Sequence, residues 1–566
     1  MSRTGVCYGP FTNVAPPDQG WRKLVTALSV EQSCDVAVLG SGAAGLVAAI
    51  AAADRGAEVA VFEKSPLLGG TSAMSGGIIW MPNNHLQAAA GIHDSREDAL
   101  AYLAALSLGQ IDSDMATTFV DVGPEMLAYL AERTPCSFHL LASYPDYHPE
   151  HPGGLPAGGR SIDNGLFPLP ELGEWAARVR CQRVNPMMLG ETPLGGATSF
   201  PAAGLVAERV ASGHNGMGLG LVSALLKGCL ERGVRFHVEA RAEHLITIDG
   251  RVSGARLTTP DGDLEVSTRS GVVLATGGFE RNEELCRTFL RGPMTAPVGS
   301  PDNTGDGLVM AMNAGARLGN MRNAWWVPVT SAEQAEQWGA PRPHLVLLER
   351  TRPGSIMVNR SARRFCNEAG NYNAMGGVFH QFDPAAFDYP NLPAWLLFDH
   401  RYKLAYDVAS CRAGAEASDW ITVAPTLPEL AQRLGLDGDV LTETVARFNE
   451  FASDGRDLDF GRGDSAYDTF NGDRTKPGRA ATLGRLDEPP FYAIPIESGS
   501  LGTNGGPKTD TRCRVLSTGG GVIPGLFAAG NVMAAPTGMV YGGAGGTLGP
   551  AMTFGFIAGR EAAGSE

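Results

Sequence analysis

The feature that most constrains the fold of this chain is a glycine-rich turn within residues 34–64 (CDVAVLGSGAAGLVAAIAAADRGAEVAVFEK). Before the turn, Asp35–Leu39 is predicted to be a buried strand; after it, the alanine-rich run Ala43–Asp54 is predicted to be a helix. A second apolar run, Val59–Phe62, completes a strand–turn–helix–strand unit. Because such a unit joins two parallel strands through a helix, it predicts an α/β domain with a Rossmann-like sheet.

The glycines of this turn have separate mechanical roles. Gly40, Gly42 and Gly45 form the pattern G-x-G-x-x-G. The first permits the turn, the second lets the backbone approach a pyrophosphate, and the third lets the helix pack on the strand. Glu63, at the end of the second strand, is placed to accept a hydrogen bond from an adenosine ribose hydroxyl. The unit therefore predicts a dinucleotide held at the helix N-terminus.

A second glycine-rich stretch, residues 66–80 (PLLGGTSAMSGGIIW), follows this acid directly. Taken alone it is an ordinary surface loop. Directly after Glu63, its hydroxyls and bare backbone N–H groups instead predict one wall of an extended cofactor site. The residues expected to contact the cofactor there are Gly70, Thr71, Ser72, Gly76 and Gly77.

Three later segments continue this pattern, namely GVVLATGGFERN (271–282), NTGDGLVMAMNAGA (303–316) and GLFAAGNVMAAPTG (525–538). In chain order, the motifs G-x-G-x-x-G, GGTSAMSGG, ATGGF, TGDG and AAGN resemble the flavoproteins of the fumarate reductase and 3-ketosteroid dehydrogenase superfamily. The resemblance covers nearly the whole chain and implies that FAD is the cofactor. The further positions assigned to the cofactor site are Ala43, Lys64, Ala242, Ala275, Gly277, Asp306, Gly530, Asn531, Gly546, Thr547 and Leu548.

Composition narrows the possible partners and the compartment. With 45 Lys+Arg against 60 Asp+Glu, the net charge of −15 argues against nucleic acid or an anionic membrane as the main partner. The nine cysteines form no C-x-x-C pair, which favours a reducing compartment and predicts neither a disulfide framework nor a metal site. The N-terminal residues lack the apolar core of a signal peptide, and no apolar run is long enough to span a bilayer. We therefore expect a cytoplasmic protein, with peripheral membrane contact and the oligomeric state left open.

The expected architecture is a discontinuous FAD-binding domain, residues 1–325 and 496–566, with an inserted α+β catalytic cap, residues 326–495. Within the cap, SIMVN and AWLLFD are strand candidates, and LPELAQRLG and GDVLTETVARFNEFAS are helix candidates. The polar segment 454–468 (DGRDLDFGRGDSAYD) is expected to be an exposed loop.

Three segments each carry a tyrosine in a setting that suggests chemistry: Tyr147 in SYPDYHPEHPGG (143–154), Tyr372 in RRFCNEAGNYNAMGG (363–377) and Tyr541 in GMVYGGAGGTLGPAMTFG (538–555). Any one tyrosine, considered alone, is most simply a core residue. Together the segments resemble the 3-ketosteroid Δ1-dehydrogenases, through the patterns Y-x-D-Y-x-P-E, N-E-x-x-x-Y and Y-x-x-x-G before G-P-A-M-T-F-G.

The resemblance implies a role for each matching position. The Tyr541 hydroxyl and the Gly545 N–H would hold the C3 carbonyl of a 3-ketosteroid, as an oxyanion-hole pair that acidifies the C2 hydrogen. Tyr372 would remove the C2 proton as a tyrosinate while C1 delivers hydride to flavin N5, and Tyr147 would donate a hydrogen bond to Tyr372. An electron acceptor would then reoxidise the flavin.

Other readings of the same motifs stay open at this stage. On the same fold, the chain would be a 3-oxo-5α-steroid 4-dehydrogenase or a fumarate reductase-like enzyme. From another class, it would be a non-catalytic flavin-binding protein whose cap recognises a partner. Two departures from the family pattern bear on substrate preference: Gly542 stands where many members are expected to have proline, and residues 170–196 look like an insertion.

Overall fold

The computed structural model describes residues 30–181 and 184–564. The N-terminal segment considered above for a signal peptide lies outside this range. Eight described strands form the main sheet. Its central strands Val522–Ala528, Gly262–Leu274, Val30–Leu39, Val59–Phe62 and Arg235–His237 run parallel in that spatial order, and Arg514–Leu516, Arg251–Thr259 and Arg241–Ile248 pair antiparallel beside them.

The predicted strand–turn–helix–strand unit lies at the centre of this sheet. The helix Ala43–Ala53 begins directly after the glycine turn and is buried along nearly its whole length. It packs between two other helices, Met217–Glu231 and Leu548–Ala562. Because small alanine and glycine side chains face each other there, the last helix crosses close enough that a Cβ at Gly555 would come within 2.4 Å of the Ala44 carbonyl oxygen.

The second large sheet has seven described strands and lies in the middle of the chain. Its main spatial order is His344–Leu345, Ala324–Thr330, Phe491–Thr503, Ala394–Phe398 and Ser355–Val358, with Ala296–Pro297 and Thr422–Ala424 also paired to the long strand. The helices Leu427–Leu434 and Gly438–Asp454 cover one face with an apolar cluster. The strand and helix candidates of this region all fall on observed elements, and the mixed α/β fold is confirmed.

The expected domain boundaries fall inside two strands of this second sheet. Ala324–Thr330 begins before residue 326, and Phe491–Thr503 continues past residue 495. The two strands pair antiparallel, for example at Trp326 and Ser500. The division into a FAD-binding domain and a cap stays a prediction.

The expectation of an exposed loop at residues 454–468 is only partly right: residues 455–465 form a loop in which 455, 456, 458–460 and 464 are exposed, but some of the charged residues within the segment are not. Asp457, Arg462 and Asp468 are buried, and a short helix begins at Ala466. Asp457 forms an ion pair with Arg364. The polar composition that suggested exposure therefore reflects, in part, a buried network in which the charges are paired.

The remaining described elements are short or peripheral to these sheets. The helices are Gly70–Met74, His85–Ala89, Arg96–Leu106, Ser113–Arg133, Ala203–Ala211, Glu283–Phe289, Asp306–Asn313, Met375–Phe379, His400–Ala405 and Ala466–Asn471, with 3₁₀ turns at Leu169–Arg178, Leu189–Glu191, Gly478–Ala481 and Gly530–Val532. The short strands are Ile79–Trp80, Phe138–Leu140, Ser161–Asn164, Phe167–Pro168, His214–Asn215, Leu318–Gly319, Glu336–Gln337, Ala340–Pro341 and Gly506–Pro507. In the described ranges no helix combines the length and apolarity that a membrane crossing needs.

Candidate active site

Three tyrosine hydroxyls from distant parts of the chain form a continuous hydrogen-bonded chain. The Tyr147 hydroxyl donates to the Tyr372 oxygen at 2.9 Å, and the Tyr372 hydroxyl donates to the Tyr541 oxygen at 2.9 Å. With both donors directed this way, the O–H of Tyr541 is left to donate to a further acceptor. The structure thus brings together the three tyrosines that the sequence motifs singled out.

The rings of these tyrosines are fixed by aromatic packing. Tyr147 stacks on Tyr541 with 5.3 Å between centroids, and Tyr372 meets each of them edge-on. Trp325 packs edge-on against Tyr541, and Tyr467 packs edge-on against Tyr147. Because each ring has at least one aromatic neighbour at close contact, the hydroxyls are held in place before any ligand arrives.

Burial dominates the protonation behaviour of these hydroxyls. It raises the pKa of Tyr372 well above the ordinary value, the nearby Tyr541 raises it further, and the hydrogen bond from Tyr147 acts in the opposite direction. Burial likewise raises the pKa of Tyr147 and of Tyr541. Tyr372 is the hydroxyl that accepts from Tyr147, so its deprotonated form gains a donor that helps to stabilise the negative charge.

A buried charged group that sequence reasoning missed anchors the loop that carries Tyr147. Asp146 accepts from the indole N–H of Trp80 at 2.8 Å and from the Arg160 guanidinium at 2.8 Å. Arg160 is fully buried and also pairs with Asp94. Burial raises the pKa of Asp146 to about 6, against the lowering effect of Arg160. This network ties the Tyr147 loop to Trp80 at the end of the second glycine-rich stretch.

The same Trp80 also fixes the loop that carries Tyr541. The Gly542 carbonyl oxygen accepts from the Tyr147 backbone N–H at 2.9 Å and from the Tyr102 hydroxyl at 2.7 Å. A Cβ at Gly542 would come within 2.7 Å of the Trp80 indole ring, so a proline ring at this position would meet the same obstacle. Contacts with Trp80 and Tyr102 therefore hold the loop where a proline was expected.

We expect the Gly542→Ala variant to slow anaerobic flavin reduction and to lower the melting temperature. The added methyl must displace a buried indole whose N–H is committed to Asp146, and overpacking of this kind costs about 1–3 kcal/mol. Stopped-flow absorbance and thermal denaturation measure the two effects. Gly377→Ala is the matched control, because a Cβ there meets nothing within 4 Å. Equal behaviour of the two variants would contradict this account of the loop.

Gly545, the other expected carbonyl donor, lies where only glycine fits. Its φ is +94°, and a Cβ would come within 2.5 Å of the Ile78 oxygen and of the Trp80 nitrogen. The Gly545 carbonyl accepts from the Trp80 N–H at 3.1 Å. Among the described residues, no oxygen accepts from the Gly545 N–H. A Cβ at the next residue, Gly546, would meet the Tyr541 ring at 2.8 Å, so this glycine pair allows the phenol to lie against the backbone.

The residues that follow Tyr147 bring ligand-type side chains together, although no metal site was expected. Ligand atoms of His148, Glu150 and His151 lie within 4.8 Å of one another, the one such cluster in the described ranges. The His148 Nε2 atom lies 2.6 Å from the amide nitrogen of Asn371, next to Tyr372. The absence of a metal stays an expectation.

At the nucleotide end, the glycine turn packs as its spacing predicts. A Cβ at Gly40 would lie 2.3 Å from the carbonyl oxygen of Ala275, and one at Gly45 would lie 2.2 Å from the Gly40 oxygen. At Gly42 a Cβ would meet only the Ser72 hydroxyl, at 3.5 Å. The turn is therefore tight against the neighbouring strand but open on the side of Gly42.

Glu63 is held in place by groups of the turn itself. Its carboxylate accepts from the Ser41 N–H and hydroxyl and from the Ser65 N–H, at 2.6–3.1 Å. Burial raises its pKa, and these hydrogen bonds act against that rise. The acid is thus oriented at the end of its strand, where a ribose hydroxyl would donate to it.

Further expected residues meet around Asp306, at the start of its helix. Lys64 Nζ donates to Asp306 at 2.9 Å, and Arg241 pairs with the same carboxylate. Ala242 follows Arg241 and is buried. These positions, distant in sequence, thus lie side by side, with the Lys64 charge already paired by Asp306.

The second glycine-rich stretch makes direct contact with the turn and with the 303–316 segment. The Ser72 hydroxyl accepts from the Ala43 N–H at 3.1 Å, and the Thr71 hydroxyl accepts from the Asn303 amide at 2.9 Å. A Cβ at Gly277 would lie 2.6 Å from the Asn303 side chain. Gly70 has open space at its Cβ position, whereas Gly76 and Gly77 pack against Leu189, and against Asn164 and Met217, respectively.

A pocket lies between the AAGN segment and the start of the last helix. Gly530, Asn531, Thr547 and Pro550 line it, and Trp325 donates to the Asn531 side chain at 3.2 Å. Leu548, the first residue of the last helix, is buried beside it. The expected residues Gly530, Asn531 and Thr547 therefore share one cavity with Trp325, which also contacts Tyr541.

The donor set fits an FAD molecule. The helices Ala43–Ala53 and Leu548–Ala562 both begin with buried residues and have no acid in the first turn, so their N-terminal ends suit anionic oxygens. At the first of them, the Ala43 N–H donates to the Ser72 hydroxyl. Two buried polar atoms near these helix ends have no hydrogen-bond partner among the described residues. They are the Thr276 hydroxyl, next to Ala275, and the Asn504 side-chain oxygen, in the pocket. Glu63 supplies an acceptor for a ribose.

Comparison with known proteins identifies the family of the chain. Residues 35–548 match the family described as FAD binding domain. The chain belongs to this family of flavoproteins, and FAD is its cofactor.

Individual relatives define the group more narrowly. The chain is 41% identical to 4-oxocyclohexanecarboxylate 2-dehydrogenase of Sinomonas cyclohexanicum, over 94% of this chain and 93% of the relative. It is 40% identical to 3-oxosteroid 1-dehydrogenase of Mycolicibacterium smegmatis, over 94% and 97%. The crystal structure of 3-ketosteroid Δ1-dehydrogenase from Sterolibacterium denitrificans with 1,4-androstadiene-3,17-dione superposes with a TM-score of 0.87 at 33% identity, covering 94% of this chain and all of that one. The resemblance read from the motifs is confirmed, and the chain is an FAD-dependent oxidoreductase of the class that acts on CH–CH bonds rather than a non-catalytic flavin-binding protein.

Proposed function

We propose that the protein is a 3-ketosteroid Δ1-dehydrogenase, which removes one hydrogen each from C1 and C2 of a 3-oxosteroid and leaves a C1=C2 double bond. The observation that carries the proposal is the hydroxyl chain Tyr147–Tyr372–Tyr541. Relatives named for this reaction share about 40% of the residues of this chain over most of its length.

In this proposal the ketone oxygen accepts hydrogen bonds from the Tyr541 hydroxyl and the Gly545 N–H. Tyr541 accepts from Tyr372 and has its own O–H to give, and a hydroxyl that already accepts is a better donor. The two donors stabilise the negative charge that develops on the oxygen as the neighbouring carbon loses a proton.

Tyr372 takes the C2 proton onto its phenolic oxygen. A phenol needs a low pKa to act as a base near neutral pH, and burial works against this. Tyr147 donates to the oxygen that must carry the charge, which is the effect that offsets burial. Bound FAD supplies the acceptor for the hydride that leaves C1.

A second candidate substrate class uses the same groups. A relative named 4-oxocyclohexanecarboxylate 2-dehydrogenase is as similar to this chain as the steroid enzymes are, at 41% identity. Its name places the new double bond between C2 and C3 of the ring, and C3 adjoins the C4 ketone, so a carbonyl clamp and a base at the carbon that adjoins the ketone would serve both reactions. In both reactions the tyrosine cluster would bind the ketone of a ring.

Anaerobic mixing of the purified holoenzyme with a panel of ketones tests the proposal. We expect 4-androstene-3,17-dione to bleach the flavin and to yield a 1,4-dien-3-one. Bleaching by 5α-androstane-3,17-dione with formation of a 4-ene would instead indicate a 4-dehydrogenase. Bleaching by 4-oxocyclohexanecarboxylate but by no steroid would favour the second candidate. Reoxidation of reduced enzyme by fumarate would indicate a reductase, and a flavin inert to every ketone would overturn both candidates.

A further inference from the structure

The aromatic cluster of the site extends through Tyr144 and Phe470 to Arg474, which forms no ion pair with a described carboxylate. Tyr144 packs on Phe470 with 4.6 Å between ring centroids, and the Arg474 guanidinium lies 4.7 Å from the Phe470 centroid. Among the described residues, neither Arg474 nor the neighbouring Arg352 forms an ion pair. Both guanidinium groups are half-buried, in a chain with 60 acidic residues and a net charge of −15.

Electrostatic effects connect this arginine to the tyrosine cluster. Burial raises the pKa of Tyr144 and the nearby Tyr541 raises it further, while a hydrogen bond with Tyr147 and then the charges of Arg474 and Arg350 lower it. Tyr144 and Tyr541 belong to one buried apolar cluster, Phe470 packs against it, and Arg474 lies against the Phe470 ring. The cluster therefore has a ketone-binding end at Tyr541 and a cationic end at Arg474.

The Arg474 guanidinium has N–H donors that no described residue accepts from. One of its terminal nitrogens bonds to the carbonyl oxygens of Pro193 and Ala197, at 2.6 and 3.0 Å. No oxygen of the described residues accepts from the other terminal nitrogen or from Nε. Gly196, whose φ is +119°, lies beside them, and a Cβ there would come within 3.5 Å of that free terminal nitrogen. Glycine at this position leaves the donors uncovered.

The surroundings make this cation costly without an anion. Burial lowers the pKa of Arg474, and the like charge of Arg352 lowers it further. Arg352 donates to the Gly472 carbonyl and packs on the Tyr406 ring. Among the described residues, no carboxylate forms an ion pair with it. A planar guanidinium with two free donors is the group that best matches a carboxylate.

We propose that Arg474, supported by Arg352, binds a carboxylate on the ketone substrate. The substrate class is then a cyclic ketone that carries a carboxylate at the end remote from its carbonyl. This inference rests on the proposed ketone dehydrogenation and narrows its substrate. The carboxylate has two possible scaffolds, a single ring or a steroid with an acidic group at C17, and the test separates them.

Steady-state kinetics on two acid–ester pairs tests the inference. The pairs are 4-oxocyclohexanecarboxylate with its methyl ester, and 3-oxo-4-androstene-17β-carboxylate with its methyl ester. With the wild-type holoenzyme we expect kcat/KM for the acid to exceed that for the ester at least tenfold on one scaffold, and added salt to reduce the difference. The scaffold that shows the preference identifies the source of the carboxylate.

The variant Arg474→Gln should remove this preference. We expect at least a tenfold fall in kcat/KM for the preferred acid, mainly through KM, and a change of less than twofold for its ester. Arg474→Lys, which keeps the charge, should recover part of the loss. Arg433→Gln is the matched control, because it removes an arginine that bonds to a backbone carbonyl on an exposed helix.

The outcomes separate the two levels of the proposal. A wild-type enzyme that oxidises acid and ester equally overturns the role of Arg474, whether or not the Gln variant folds. An equal loss for acid and ester in a folded, flavin-loaded Arg474→Gln variant overturns it as well. A wild-type flavin that no ketone reduces refutes the proposed function itself.

Discussion

Replacing Tyr372 with phenylalanine should leave ketone binding intact and slow anaerobic flavin reduction about a thousandfold, the loss expected for a general base. The change removes only the hydroxyl that accepts from Tyr147 and donates to Tyr541. The ring and its edge-on contacts remain, so the pocket keeps its shape. Stopped-flow absorbance at the flavin band gives the rate, and perturbation of the oxidised flavin spectrum gives the dissociation constant of the dienone product.

The pH dependence distinguishes a base from a structural hydroxyl. Burial raises the pKa of Tyr372 well above its ordinary value, so the tyrosinate is the minor form at neutral pH. Raising the pH increases that form, and the wild-type rate should rise about tenfold per unit below the pKa. The Tyr372→Phe variant should lose this slope. Tyr402→Phe, which deletes another buried hydroxyl, bonded to the Glu349 carbonyl, is the control. Near-normal reduction in Tyr372→Phe would remove Tyr372 from the base role.

Replacing Tyr541 with phenylalanine should slow flavin reduction about 100- to 1000-fold and also weaken ketone binding. Loss of one oxyanion-hole donor costs about 3–4 kcal/mol. Unlike the base, this hydroxyl touches the carbonyl in the bound state, so both the dissociation constant and the reduction rate should change. The stacking of the ring on Tyr147 and its contact with Trp325 are kept, so flavin content and melting temperature should stay near those of the wild type.

A comparison of the two tyrosine variants sharpens this second prediction. If Tyr541 only supported Tyr372, its phenylalanine variant would change the pH profile and leave ketone affinity unchanged. If it holds the carbonyl, the variant should keep the pH slope at a lower rate. Unchanged affinity for the dienone product would count against the carbonyl clamp.

Much of the nucleotide end followed from the sequence, because its geometry is local. The run from Asp35 to Glu63 forms the expected strand, turn, helix and strand, and Gly40 has a φ of +107°, which favours glycine. The anchoring groups of the tyrosine loops were missed. Trp80 and Asp146 are 66 positions apart, and each belongs to a motif that was noticed for other reasons. Arg160 had no local signal at all.

Charge patterning misled the interpretation of one segment for a related reason. Residues 454–468 have the composition of a solvated loop, but Arg462 is fully buried beside Glu368, and Arg364 pairs with Asp457. Whether a charge is solvated or paired depends on partners supplied by other parts of the chain. A local window of sequence contains no information about those partners.

The sequence by itself therefore determined the α/β nucleotide fold and the FAD motifs, because each depends on residues a few positions apart, and it singled out the three tyrosines through short motifs that resemble a known family. Only the tertiary structure decided that these phenols form one directed hydrogen-bond chain, since Tyr147 and Tyr372 are 225 positions apart and Tyr372 and Tyr541 are 169 apart. The same is true of the unpaired Arg474 at the far end of the aromatic cluster. Long-range packing determines which groups come together, and the hydrogen bond between Trp80 and Asp146 holds the Tyr147 loop in position.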